Sequence, residues 1–157
     1  MFFKFKKDIK WERGEKTPVK RFLSSVGESC KITEEMIFDR RQKSINLNDA
    51  LWSICNESIL QNMKIDNTRN IRNLYYQMEQ ILVSENKNAN KIVKKRLYYD
   101  LLEYKEGGLP IVIIVCTDDC CESCKKIDGK EYKINEAIQK QPLPPIDCTC
   151  LRCSCTY

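Results

Sequence analysis

The chain of 157 residues contains no histidine. That absence excludes Ser–His and Cys–His nucleophilic pairs and any histidine general base. It also means that a metal site here must be all-sulfur or must borrow a carboxylate. Glycine and proline number five each, and no glycine-rich phosphate loop or spaced carboxylate pair is present. Long apolar runs are missing too: the longest, Ile111 to Cys116, has strand length and falls far short of the roughly 20 residues of a membrane span. There is no internal repeat and no low-complexity tract. The N-terminal MFFKFKKDIKW alternates aromatics with lysines and lacks the apolar centre of a secretory signal. A cytoplasmic location is therefore expected, where cysteines stay reduced and clustered thiols favour a metal over disulfides. In a secreted chain the same cysteines would read as a disulfide framework.

Cysteine is what the chain has in excess. Eight of its ten cysteines fall between Cys116 and Tyr157. Cys121 and Cys124 form a CxxC, and after a gap of 23 residues Cys148, Cys150, Cys153 and Cys155 follow as CxCxxCxC. Two close-spaced clusters separated by a short connector suit one tetrahedral ion, each cluster giving two thiolates about 2.3 Å from the metal. Thiolates favour zinc over magnesium or calcium, and four closed ligands make a structural site. The expected ligands are Cys121, Cys124, Cys148 and Cys153, with Cys155 or Cys150 as substitute for the last. Eight cysteines compete for four places, so a binuclear site using most of them stays open. Cys116 reads as core within an apolar strand, and Cys120 points elsewhere if Cys121 ligates. Asp118 and Asp119 could serve a metal, although turn chemistry explains them equally well. Lys125, Lys126 and Lys130 can offset the charge of a thiolate complex. Cys30 and Cys55 stand alone as buried free thiols.

The rest of the chain reads as α+β, an N-terminal helical region followed by a small β-hairpin, knuckle-type zinc module. Residues 1–31 form a basic arm broken by Gly14, Pro18 and Gly27, expected to be irregular. Residues 1–26 hold Lys4, Lys6, Lys7, Lys10, Arg13, Lys16, Lys20 and Arg21 against Asp8, Glu12 and Glu15, which is the entire formal excess of +5. Such an arm is a solvated tail or an anion-binding element, and Lys4, Lys6, Lys7, Lys10 and Arg13 are the candidate nucleic-acid contacts. Phe2, Phe3, Phe5 and Trp11 interleave with these lysines and could instead form an edge strand.

Residues 32–108 form a helical domain. Thr33 opens one helix and Asn46 or Asn48 a second. Asn67 or Thr68 opens a third, with the stripe Ile71, Leu74, Tyr75, Met78, Ile81 and Leu82. Asn88 or Asn90 opens a fourth that Gly107-Gly108 ends. Tyr75, Tyr76, Tyr98 and Tyr99 read as packing residues. Residues 109–157 form the cysteine-rich module: a buried strand Ile111–Cys116, the CxxC, a two-residue turn at Asp128-Gly129, a return strand Glu131–Ile134, a short helix capped by Asn135, and a proline-rich return to Cys148.

One competing chemistry starts from IVIIVCTDDCCESCK, a β-branched run leading into CxxC-Lys that resembles a thioredoxin-like redox site. That fold places its CxxC at the start of a long helix. Asp128-Gly129 leaves room for about one turn, and the chain beyond it is too short for the rest of that sheet.

The series C-x-x-C-K-x-x-x-G-K-x-Y, N-E-A-I, P-L-P-P and a closing cysteine cluster resembles the cysteine-rich end of phage Mu F-like head-morphogenesis proteins. It also resembles a family of small bacterial and prophage proteins that join N-terminal helices to the same module. The resemblance covers roughly residues 104–157 and implies a treble-clef-like or knuckle-type zinc domain. In it Cys148 matches the first ligand of the closing motif and Cys153 or Cys155 the second. The expectation is a non-enzymatic zinc-binding interaction or adaptor protein with a protein partner, encoded by a phage or mobile element. A nucleic-acid-binding zinc protein and a CxxC thiol oxidoreductase are the alternatives.

Overall fold

The computed structural model describes residues 9–157. Its architecture is α+β: a mostly helical N-terminal region, then a small two-stranded antiparallel hairpin with the clustered cysteines. Helices α1 (Lys16–Phe22), α2 (Glu34–Arg41), α3 (Leu47–Met63), α4 (Thr68–Ser84) and α5 (Asn90–Glu106) precede strand β1 (Ile111–Ile113). Helix α6 (Glu122–Lys125), strand β2 (Glu131–Lys133) and helix α7 (Ile134–Lys140) follow.

Local chemistry explains the long helices. Thr33 Oγ1 accepts the Met36 N–H at 3.3 Å, Asn46 Oδ1 that of Asp49 at 2.9 Å, and Asn67 Oδ1 that of Asn70 at 3.1 Å. Each of these contacts satisfies one of the N–H groups left over at a helix start. Asn88, just ahead of α5, does the same for Asn90 at 2.9 Å. Gly108, at φ +79°, ends α5 in a conformation other residues resist, and the Leu109 N–H closes onto Tyr104 O at 3.0 Å. Ile71, Leu74, Tyr75, Met78 and Ile81 of α4 are all buried, as the stripe requires.

The N-terminal segment departs from expectation. Residues 1–31 were expected to be irregular, yet Lys16–Phe22 is helical and runs on into a π-helical turn, Leu23–Gly27. Val19, Phe22 and Val26 retain 1%, 3% and 1% of their exposure and sit in the main core with α2, α3 and α4. Asn70 donates to Ser29 O at 2.8 Å, tying the end of this segment to α4. Lys4, Lys6, Lys7, Phe2, Phe3 and Phe5 lie outside the described residues.

Helix α5 joins the two halves of the molecule. Its Ala89-side end, with Val93 and Leu97, packs into a cluster containing Ile114, Leu143, Cys120, Cys124, Cys153 and Cys155. Further along, Leu101 packs with Val112, Ile134 and Ala137. The run from Ile111 is therefore not a strand buried on both faces. Val112 and Ile114 point inward, whereas Ile111, Ile113 and Val115 are about half exposed. Nor does a two-residue turn join the strands. Ile111 pairs with Lys133 and Ile113 with Glu131, and the connection between them carries the whole CxxC segment.

Candidate metal centre

Cys121 occupies the N-cap position of α6, and the single helical turn that follows brings Cys124 to the same side. Gly129, at φ +71°, reverses the chain and donates to Ile114 O at 2.9 Å. Asp128 Oδ1 accepts the Cys116 N–H at 2.9 Å, closing the loop across its base. Asp128-Gly129 thus shapes the CxxC loop rather than a tight hairpin. After α7 the proline-rich segment turns at Pro145, whose carbonyl accepts the Cys148 N–H at 3.0 Å. Ser123 Oγ donates to Asp147 O at 3.2 Å and fixes this return against the CxxC.

The sulfurs converge. Cys121 Sγ lies 3.6 Å from Cys124 Sγ and 3.8 Å from Cys148 Sγ, and Cys124 to Cys148 is 3.6 Å. Four ligands about 2.3 Å from a tetrahedral ion stand roughly 3.8 Å apart. The three sulfurs therefore form one face of such a tetrahedron. Cys150 is the fourth member of this group, all of whose sulfurs lie within 4.8 Å of one another. Cys153 Sγ is 3.7 Å from Cys124 Sγ but groups with Cys124 and Cys155. Cys116, Cys120 and Cys155 make a third group. Of the four ligands expected from sequence, Cys121, Cys124 and Cys148 come together directly, and Cys153 adjoins them through Cys124. Cys116, expected as core, is half-buried: it packs against the cluster around Ile114 and Leu143 and also stands among the thiols of Cys120 and Cys155. Cys120 does turn away from Cys121, toward Cys116 and Cys155. Asp118 and Asp119 belong to none of these groups.

Backbone N–H groups steady the first sulfur. Those of Cys124 and Thr149 are directed at Cys121 and pull its thiol down to about 5. Burial acts the other way on Cys124, Cys148, Cys150 and Cys155, pushing each thiol up. A divalent cation would supply the positive charge that these buried and half-buried thiolates need, so the donor set suits a metal such as zinc. Nearby, Lys125 is engaged with Glu122 at 3.1 Å, while Lys126 and Lys130 are exposed.

The support of the site from the helical region was not evident in the sequence. Asn90 Oδ1 accepts the Cys153 N–H at 2.8 Å, and its Nδ2 donates to Cys150 O at 2.9 Å. Asn88 Nδ2 also donates to Cys150 O, at 3.3 Å, and the Ala89 N–H donates to Leu151 O at 2.8 Å. Three consecutive residues at the start of α5 thus grip the loop from Cys150 to Cys153. The asparagines were legible only as helix openers, and nothing in their spacing marks a second task.

No family of known proteins, no curated protein and no solved structure matches this chain.

Proposed function

We propose that this chain is a non-enzymatic interaction or adaptor protein whose C-terminal module is folded by structural zinc. The observation that carries the metal reading is the triangle of Cys121, Cys124 and Cys148, with edges of 3.6, 3.8 and 3.6 Å. Zinc would join the CxxC loop, the proline-rich return and the loop gripped by α5, adding to the Ser123–Asp147 contact and the small cluster around Leu143 that already hold them. Cys150 or Cys153 supplies the fourth thiolate, leaving no open position for substrate. The motif pattern of residues 104–157, read as resembling phage and prophage zinc modules, is the ground for a mobile-element origin. A protein partner is favoured by the outward row of Leu109, Ile111, Ile113 and Val115 beside the module, each 46–55% exposed. Elemental analysis of protein purified without chelator tests the metal. A metal-free, disulfide-bonded and still folded C-terminus overturns it.

Two observations favour the alternatives. Lys10, Arg13, Lys16, Lys20 and Arg21 are all exposed on one short stretch, which suits nucleic acid. Binding to a generic duplex that weakens steeply with salt would select that reading, because phosphate contacts release counterions. The lowered Cys121 thiol suits redox chemistry, but both CxxC sulfurs also face Cys148. A CxxC reduction potential within the range of thiol oxidoreductases, measured on metal-loaded protein, would select a redox enzyme.

A further inference from the structure

We propose that the chain holds a second metal ion, in a tetrahedral thiolate site built from Cys116, Cys120, Cys153 and Cys155. The inference rests on the first site being a metal site, and deepens that reading.

The first group takes four cysteines, Cys121, Cys124, Cys148 and Cys150. The other four of the C-terminal eight are not scattered. Cys116, Cys120 and Cys155 have sulfurs within 4.8 Å of one another, and Cys153 lies within that distance of Cys155 and of Cys124, so that with Cys124 taken by the first site it is the thiol left to complete the second. Main-chain contacts, not sulfur packing, bring them together. Val115 and Thr156 exchange both backbone hydrogen bonds, at 2.8 and 2.9 Å, in an antiparallel bridge. The next residues in that register, Cys116 and Cys155, are then a directly opposed pair in which side chains approach closely. The Cys120 N–H donates to Thr117 O at 3.0 Å, so a turn returns Cys120 to the same place. The hydroxyls of Thr117 and Ser154 meet at 2.7 Å and close the turn onto the C-terminal segment. Cys153, fully buried, is fixed through its N–H to Asn90.

A core of small apolar residues would explain Cys120, Cys153 and Cys155, which are buried. Cys116 lies at the edge of that core, half-exposed, where its thiol donates to Cys124 O at 3.4 Å while standing within 4.8 Å of the Cys120 and Cys155 sulfurs, so packing alone does not require a thiol there. An opposed Cys116–Cys155 pair could also be a disulfide, and the test must separate the two.

Native mass spectrometry of the full chain, purified under reducing conditions with zinc present, reads the count directly. Two zinc ions per chain and a fully reduced mass are expected. One zinc with the thiols reduced overturns the second site and leaves the first standing. One zinc together with a mass lower by one disulfide overturns it in favour of a Cys116–Cys155 bond. No zinc overturns both sites. The variant C116S/C120S should bind one ion where the wild type binds two, and two ions bound by that variant overturn the assignment of ligands. Should the variant fail to fold, cadmium-113 NMR of the wild-type chain still decides. Two resonances in the all-thiolate region support the second site, and a single resonance excludes it.

Discussion

Glu79 on α4, with no exposed surface, forms an ion pair with Arg152 of the cysteine-rich tail, 73 residues further along the chain. Its other oxygen takes Arg96 of α5 at 2.9 Å, and Arg96 in turn holds Asp100 at 2.9 Å. A buried carboxylate thus has one guanidinium from the helical region and one from the tail. Between Cys150 and Cys153 the chain is held both by this charge and by Asn88, Ala89 and Asn90.

Removing Glu79 should therefore cost far more than removing Arg152. Glu79→Ala leaves two guanidiniums without their shared partner, and breaking a buried pair from one side costs about 3–5 kcal/mol. Arg152 is 37% exposed, so after Arg152→Ala Glu79 keeps Arg96 and water can reach the gap. Urea denaturation of the two variants compares them. Equal losses would mean that Arg152, not Arg96, is the partner that matters.

The N-terminal segment should prove structural from Lys16 onward. Phe22 is fully packed among the helices, and truncating a buried Phe to Ala costs about 3–5 kcal/mol. Phe22→Ala, or deletion of residues 1–26, should lower the melting temperature strongly, while deletion of residues 1–8 serves as the comparison. A small effect of Phe22→Ala would restore the dispensable arm that composition suggested.

Cys55 gives the chain an alkaline sensitivity. Burial, with a smaller contribution from Cys30, pushes its thiol up from 9.0 to about 12. Between those values the unfolded chain has lost the proton and the folded chain has kept it. Stability from this group is therefore complete below pH 9 and falls as pH rises toward 12, by about 1.4 kcal/mol per pH unit. Cys55→Ala should flatten the pH dependence of unfolding in that window relative to wild type. Parallel curves for the two proteins would assign the alkaline loss to other groups.

The sequence was readable where the interactions are local. Thr33, Asn46 and Asn67 cap helices by contacts within three residues, and the α4 stripe shows its period without help from the fold. Gly14, Pro18 and Gly27 are weak breakers here because of where they fall. Pro18 falls in the first turn of α1, where its missing N–H has no partner to lose, and Gly27 closes the π-helical turn. Val19, Phe22 and Val26 keep helical spacing between them. In the cysteine module, number and clustering pointed to a metal, but the partition among sulfurs depends on contacts remote in sequence. The Val115–Thr156 bridge, which sets Cys116 opposite Cys155, leaves no mark in the spacing of the cysteines.

Metal removal should lower the stability of the helices without abolishing them. The main core, which runs from Val19 of α1 to Ile92 of α5, takes nothing from the cysteine module. Yet Ala89, Val93 and Leu97 pack directly on Cys120, Cys124, Cys153 and Cys155. Structural zinc contributes apparent energies of about 10–16 kcal/mol in small modules at neutral pH, so stripping it should unfold the tail. Helix α5 would then lose the partner of one face, along with the contacts made by Asn88 and Asn90. Circular dichroism at 222 nm should keep most of its amplitude at room temperature after chelation, while the melting temperature of that signal falls. An unchanged melting temperature would show α5 indifferent to the module, and complete loss of the helical signal would show a single cooperative core. The double variant N88A/N90A refines the test, since it should bring the helical melt of metal-loaded protein part of the way toward that of the stripped form.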